Sequence, residues 1–502
     1  MITLAIKTLL VGQSEHLGYL KESRFSVWLS DATWWLSLII NSLNGRKLFP
    51  FYLVLNILLL MAFSNNAQTR VLPTSEQVEW ANSEIGVIIH LDINIYAPNT
   101  FHYNDKRSLP PLSVFNPKKL NTDQWIKTAK SAGAKYAVLT AKHGTGFCLW
   151  PTKVHEYHVG NTPLREGNAD IVREFIRSCK KYGIKPGLYF NTNMNTYYQA
   201  GYLPMSDEER VGYNKAVYQQ LKELWTEYGE LFEIWFDGGV MSDDNGGIAT
   251  DVTKLIQIYQ PHAILFQGPS SCNNLIRWVG NEDGRAPYPN WSTTDFTTSS
   301  LGKEEIIGLN GKPDGKIWCP GEADFPNRKK TAWNGGWLWH ADQENFLFSA
   351  DELVDRYYTS VGRNANMLIG MAIDTAGRFP EADALIFKEF GRKIKHIFEI
   401  PLARAGGQGQ IVELEIAKTP RKIDHIIIQE DISLGEHIRA YRIEIWSDGG
   451  WSTICEGTSI GHKRIHKIVI TETSKIRVVI TKSTANPQIR NLSVYYSSPT
   501  KQ

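Results

Sequence analysis

Two carboxylates in the middle of the chain stand where a reaction could use them. The segment Glu233-Ile234-Trp235-Phe236-Asp237-Gly238-Gly239 runs bulky apolar residues straight into an acid and then into two glycines. Glycine lets the backbone turn and lets a ligand approach closely, so Asp237 is a candidate for presentation to a substrate. An Asp before Gly also suits an ordinary loop turn, and the local sequence does not separate the two. Arg277-Trp278-Val279-Gly280-Asn281-Glu282 repeats the pattern and is followed by Asp283-Gly284. Glu282 could equally be a rim partner of Arg277 or Arg285. A third acid, Glu322 in Cys319-Pro320-Gly321-Glu322, is its rival. Retaining glycoside cleavage needs one carboxylate to attack the anomeric carbon and a second carboxyl group, about 5–5.5 Å away, to protonate the leaving oxygen. The protonating group must keep its proton near neutrality through a raised pKa. Asp237 as nucleophile, with Glu282 or Glu322 as acid/base, is the candidate set, and this chemistry requires neither metal nor cofactor.

The elements that must position these groups alternate. Short apolar runs occupy 86–93, 136–141, 186–191, 233–238, 263–267, 277–282, 317–322 and 367–373. Amphipathic stretches lie between several of them, at 122–132, 170–182, 207–228, 250–259 and 350–363. Asn121 or Thr122 can cap the first of these helices, and Gly133 and Gly183 stand where two should stop. Strand and helix in alternation imply parallel βαβ units. About eight repeats in this length suit a (β/α)8-type barrel, and no glycine-rich phosphate loop follows the first run. Catalytic residues of such barrels sit at the C-terminal ends of the strands. That rule selects His90, His143, Asn191, Asp237, Glu282 and Glu322.

From about Arg392 the pattern becomes short alternating strands at 412–416, 423–429, 441–447, 467–470, 476–481 and 489–496, which predicts a C-terminal β-sandwich. The expected organisation is a catalytic barrel over 68–391 and a sandwich over 392–502. Ahead of them, Arg46-Lys47, an apolar run from Leu48 to Phe63 and a small-residue end at Ala67 read as a signal peptide over 46–67. Residues 1–45 then precede the signal and read as a misassigned start. The apolar run is short for a membrane span. Export to the periplasm or the cell exterior is expected, with no stable membrane insertion after cleavage.

Lys and Arg total 54 against 52 Asp and Glu, which argues against a nucleic-acid partner. The 16 tryptophans suit either a large core or a pocket whose flat rings cover the apolar face of a sugar. Five scattered cysteines form no C-x-x-C pair or Cys/His cluster, so no structural zinc is expected.

Taken together, these segments resemble glycoside hydrolase family 29, the α-L-fucosidases, and within it the branch acting on α-1,3/1,4-linked fucose. The resemblance runs from about Trp80 to the C-terminus. It rests on Phe115-Asn116-Pro117, Asp123-Gln124-Trp125, Ala132-Gly133-Ala134-Lys135-Tyr136, Leu139-Thr140-Ala141-Lys142-His143, Gly146-Phe147-Cys148-Leu149-Trp150-Pro151, Trp235-Phe236-Asp237-Gly238, Gly336-Trp337-Leu338-Trp339-His340 and Val361-Gly362-Arg363-Asn364-Ala365-Asn366. Arg277–Glu282 is the segment that points to the branch. The resemblance implies that Asp237 is the nucleophile and that Glu282, rather than Glu322, is the acid/base. It implies that His90 and His143 bind fucose hydroxyls, that Trp150 and Trp235 are pocket aromatics, and that the substrate is a fucosylated oligosaccharide or glycoconjugate. It also implies that the sandwich is of the galactose-binding-like kind, either supporting the barrel or binding glycan. Two positions depart from the family: Lys142-His143 is followed by Gly144-Thr145 instead of a second His and an Asp, and His90 by Leu91-Asp92 instead of an aromatic and Gly. These departures leave open a related sugar such as an α-L-galactoside, or a carbohydrate-binding protein without turnover.

Overall fold

The computed structural model describes residues 71–201, 203–298, 304–306 and 309–497. The proposed start segment and signal peptide, residues 1–67, lie outside the described residues.

Eight parallel strands close into a barrel: β1 (Ile85–His90), β2 (Tyr136–Lys142), β3 (Lys185–Asn191), β4 (Glu233–Asp237), β5 (Ile264–Phe266), β6 (Leu275–Trp278), β7 (Gly321–Phe325) and β8 (Ala365–Ala372). Their order round the barrel is β1-β8-β7-β6-β5-β4-β3-β2. The helix α1 (Ser75–Ser83) precedes β1, and Thr74 closes its N-terminus with a capping box to Gln77. Crossover helices follow: α2 (Thr122–Ser131), α3 (Ile171–Tyr182), α4 (Asp207–Glu227), α5 (Ala249–Tyr259), α6 (Ala350–Thr359) and α7 (Glu381–Phe398). Asn121 caps α2 through its side chain, and Gly183 ends α3 in the left-handed conformation, as the sequence signals require. Among the described residues no helix follows β5 or β6; the chain after β6 runs through a long loop with two-residue and three-residue strands.

Strand residues alternate between the barrel lumen and the outer layer. The lumen holds Ile88, Tyr136, Val138, Tyr189, Trp235, Phe266, Ile276 and Leu368, whereas Leu139, Leu188, Phe190, Ile234 and Phe236 pack outward under the helices. Such strands are buried on both faces, and β1, β2 and β8 are so along their whole length.

The sequence boundary near Arg392 falls inside α7, and the sandwich strands begin at Ala403. They are β9 (Ala403–Gln408), β10 (Ile411–Glu415), β11 (Arg421–Glu430), β12 (Ile438–Ser447), β13 (Gly450–Gly457), β14 (Arg464–Thr473), β15 (Lys475–Ser483) and β16 (Gln488–Tyr495). They form two antiparallel sheets, ordered β9-β16-β11-β14 and β10-β15-β12-β13. Isoleucines and valines from both sheets make a separate core.

The sandwich is tied to the barrel near the starts of its strands. Glu84, one residue before β1, pairs with Lys463, lies 3.5 Å from His462 Nε2 and accepts from the Tyr357 hydroxyl at 3.0 Å. Asn364, one residue before β8, donates to Glu436 at 2.6 Å and accepts from the His462 amide at 2.7 Å. Burial alone would raise the Glu84 carboxyl, but the Lys463 charge and His462 hold it well below the usual range. The sandwich is thus anchored at the end of the barrel opposite the C-terminal strand ends. No helix among the described residues is long and apolar enough to cross a membrane.

Candidate active site

Asp237 is the last residue of β4 and points into the lumen, two places after Trp235. Its Oδ2 accepts from the Tyr189 hydroxyl at 2.6 Å and from Asn191 Nδ2 at 2.9 Å. Both donors come from β3, whose register sets Asn191 opposite Asp237. Asn191 is itself fixed, because its Oδ1 accepts the amides of Asn193 and Met194 at 3.1 and 2.7 Å. Two donors on one oxygen leave Oδ1 as the free oxygen of a half-buried carboxylate at the barrel mouth.

Beneath Asp237 the rings stack. Tyr189 lies on Trp235 at 5.3 Å and 20°, and Trp235 on Phe266 at 3.8 Å and 7°. The Trp235 indole donates to Glu322 Oε2 at 3.0 Å, and Tyr136 donates to Oε1 at 2.7 Å. Glu322 is therefore not at the end of its strand. It is the second residue of β7, fully buried on the lumen floor beside Glu233, which takes the Trp80 indole at 3.1 Å. Glu233 Oε1 has no donor. One proton held between the two acids would supply it, and both carboxyls are raised by burial, that of Glu322 to about 7. Both Glu322 oxygens are occupied below the site, so the structure does not present this acid at the mouth. The physical reason is strand register: Cys319-Pro320 lies ahead of β7, so the mouth position falls two residues later, on Asp324.

Asp324 is buried and accepts from the Trp278 indole at 2.7 Å. Burial, then the charges of Glu322 and Glu282, push its carboxyl up to about 8. Glu282 also departs from its expected strand end. β6 stops at Trp278, and Glu282 stands four residues further, half-buried in the loop, at φ +48°. A left-handed backbone at a non-glycine residue costs about 1 kcal/mol or more and persists only where its surroundings impose it. Here Val279 N–H donates to Glu322 O at 3.1 Å and Gly284 N–H to Asp324 O at 3.3 Å, stapling the loop to β7. Gly284 sits so close to the Phe325 ring that a β-carbon there would lie 2.3 Å from it. Neither arginine near Glu282 in sequence binds it: Arg277 is buried and donates to Cys319 O and to Asn290 at 2.5 Å, while Arg285 reaches Asp355 at 2.5 Å. Among the described residues Glu282 forms no ion pair, leaving a carboxyl on the same rim as Asp237.

The other side of the mouth is imidazole. The rings of His90, the last residue of β1, and His143, the first beyond β2, lie 5.9 Å apart. His143 stacks on Tyr189 at 5.8 Å and 19°, and His90 leans on Trp337 at 5.1 Å. Burial, helped by His143, holds His90 well below its ordinary pKa, so it is neutral at neutral pH. Trp337 reaches His90 because β8 carries Gly370, where a β-carbon would fall 3.1 Å from the tryptophan ring. Among the described residues no cluster of three His, Cys, Asp or Glu side chains could hold a metal ion.

A strand-end carboxylate with one free oxygen, a second carboxyl on the loop that follows the next strand but one and a polar wall of imidazoles suit a sugar held for displacement at its anomeric carbon. The family model for α-L-fucosidase matches residues 63–396. The chain belongs to the α-L-fucosidase family. Among curated relatives, α-L-fucosidase 1 of Arabidopsis thaliana is 29% identical over 84% of this chain and 87% of its own length. A rice protein named as an α-L-fucosidase 1 by inference is 30% identical over 85% of each. Among solved structures, a Bacteroides thetaiotaomicron protein, itself an α-L-fucosidase by inference, superposes with TM-score 0.78 at 35% identity, covering 85% of this chain and all of that one. A glycoside hydrolase 29 family member from an unknown rumen bacterium superposes with TM-score 0.73 at 28% identity, covering 85% of this chain and 78% of that one. Hydrolysis of α-L-fucosides is accordingly the activity of this α-L-fucosidase family member.

The structure brings His90, His143, Asp237 and Glu282 to one mouth, with Trp235 as the floor under Tyr189. It does not bring Trp150 there. Trp150 is fully buried outside the barrel wall, 6.5 Å from the outward ring of Phe190, and donates to Glu223 of α4 at 2.9 Å. Its expected place in the pocket is corrected by the outward direction of that ring contact. Sequence reasoning missed Tyr189, Asp324 and Trp278. Parity was the available signal: Tyr189 precedes Asn191 by two and Asp324 follows Glu322 by two, so each shares its neighbour's face.

Proposed function

We propose that the chain is a retaining exo-α-L-fucosidase working by double displacement. Asp237 Oδ1 attacks the anomeric carbon while Glu282 gives its proton to the departing glycosidic oxygen, which leaves with the electron pair of the cleaved bond. The fucosyl–Asp237 ester is then opened by water as Glu282 takes back a proton, releasing L-fucose and restoring both carboxyl groups. The observation that carries this reading is the asymmetric hold on Asp237: Tyr189 and Asn191 fix Oδ2 and leave Oδ1 free at the mouth. Trp278 and Asp324 shape the acid's side of the site, and His90 and His143 bind sugar hydroxyls.

The natural substrate on this reading is a fucosylated glycan with terminal α-1,3/1,4-linked fucose, supported by the Arg277–Glu282 segment, whose buried arginine fixes the loop carrying the acid. Export to the periplasm or exterior follows from the apolar run 48–63 behind Arg46-Lys47.

The test is azide rescue. Asp237→Ala should lose turnover of an aryl α-L-fucoside and regain part of it with azide, forming the β-fucosyl azide; wild-type rates in that variant would overturn the nucleophile assignment. Glu282→Ala should hurt poor leaving groups far more than activated aryl ones, since only the former need protonation. A panel of α-1,2, α-1,3, α-1,4 and α-1,6 fucosides with an aryl α-L-galactoside reads the linkage and the sugar.

A further inference from the structure

The loops that follow β1 and β2 meet in space. Asp92, two residues beyond β1, is buried, and its Oδ1 accepts from the Ile93 amide and from the Thr145 hydroxyl, each at 2.7 Å. Thr145 is buried too, and its oxygen accepts the Phe147 amide at 3.1 Å, so its one proton is committed to Asp92. The carboxylate is thereby clamped through one oxygen. The other, Oδ2, has no hydrogen-bond partner and lies 3.7 Å from His143 Nδ1, which has none either. A buried carboxylate oxygen and a buried ring nitrogen, both unsatisfied and facing each other, are costly unless a proton lies between them. The His143 ring is further confined by Tyr189 on its face and by His90 and Tyr103 at 5.9 and 6.2 Å, yet a fifth of its side chain stays exposed.

We propose that Asp92 is a positioning residue for His143: its free oxygen keeps the imidazole proton on Nδ1, which fixes the ring and leaves Nε2 to take a hydrogen bond from a hydroxyl of the bound sugar. A carboxylate behind a histidine sets which nitrogen is protonated and where the ring points. Thr145 acts one step further back, by holding the carboxylate. The inference rests on the fucosidase reading, in which a sugar occupies this mouth.

The test is a double-mutant cycle on the full chain with an aryl α-L-fucoside, comparing wild type, Asp92→Asn, His143→Gln and the double variant, with thermal midpoints measured alongside. Asp92→Asn should lower kcat/KM roughly tenfold or more, the scale on which carboxylate partners of metal-bound histidines act. In the His143→Gln background the same change should cost less than about twofold, because there is no imidazole left to orient. Losses that simply multiply, or an Asp92→Asn enzyme within about twofold of wild type, would overturn the proposal. Thr145→Val, run through the same cycle, gives the same discrimination if Asp92→Asn does not fold: a loss that vanishes without His143 supports the proposal, and an equal loss with and without it overturns it. A folded wild type inactive on the aryl fucoside defeats the fucosidase reading, and this inference with it, whereas multiplying losses in an active enzyme defeat the inference alone.

Discussion

Replacing Glu322 by Gln separates the acid on the lumen floor from the acid at the rim. In the folded chain Glu322 is fully buried between Tyr136, Trp235 and Glu233, with its carboxyl raised from 4.5 to about 7. A carboxyl whose pKa is higher folded than unfolded binds its proton more tightly in the native state. Stability from that proton is fully present below the unfolded value and is lost as pH rises through the folded one. Because Glu233 holds that proton with it, the loss from pH 4.5 to 7 belongs to the pair and is on the order of 1–3 kcal/mol. The amide introduced by Glu322→Gln would be neutral throughout. Its oxygen can accept from Trp235, and its N–H groups can donate to Glu233 Oε1 and to a Tyr136 hydroxyl turned to accept, so the polar floor stays satisfied. The stability difference between Glu322→Gln and wild type should therefore move in the variant's favour from pH 4.5 to 7, by on the order of 1–3 kcal/mol because Glu233 stays titratable, read from urea unfolding at several pH values. Turnover of an aryl fucoside should stay within about tenfold of wild type, because Trp235 and Tyr189 separate the floor from the reacting centre. A stability difference that does not change with pH would refute the raised carboxyl. A folded variant with turnover lost by about a thousandfold would return the acid/base role to Glu322.

Asp324→Asn keeps an acceptor for the Trp278 indole but removes a carboxyl pushed up to about 8, so wild-type stability should fall relative to the variant between about pH 4 and 8, as thermal midpoints across that range would show. Glu84→Gln unpairs Lys463 at the barrel–sandwich contact and should cost about 2–3 kcal/mol at neutral pH, less than a fully buried pair because a fifth of Glu84 is exposed. That cost should fade as pH drops below about 4.5, since the wild-type carboxyl is held down only in the folded state; a cost that persists at low pH would contradict the ion pair. Trp150→Phe removes the donor to Glu223 outside the barrel wall, so unfolding should come about 1–2 kcal/mol easier while KM stays within about twofold, and a large KM change would restore Trp150 to the pocket.

The chain order of polar and apolar residues determined the barrel and the sandwich. Short apolar runs joined by capped amphipathic stretches have few ways to bury themselves, and a parallel sheet closed by helices is one of them. The same local pattern placed Asp237, His90 and His143 at strand ends, because a run that stops on a polar residue before a turn carries its own register. Glu282 was legible as a type of residue but not as a place, since the loop that carries it is set by backbone hydrogen bonds to β7 and by the room Gly284 leaves for Phe325. Glu322 and Asp324 show the limit most clearly: two acids on one face, two residues apart, and only the starting point of β7 decides which lies on the floor and which at the mouth. Asp92 and Thr145 are 53 residues apart, and the sequence marked each as an oddity; only barrel closure made them partners and set them behind His143. Local sequence limits what each strand can be, whereas strand register and loop contacts, which depend on the whole packed barrel, decide which side chains share a proton.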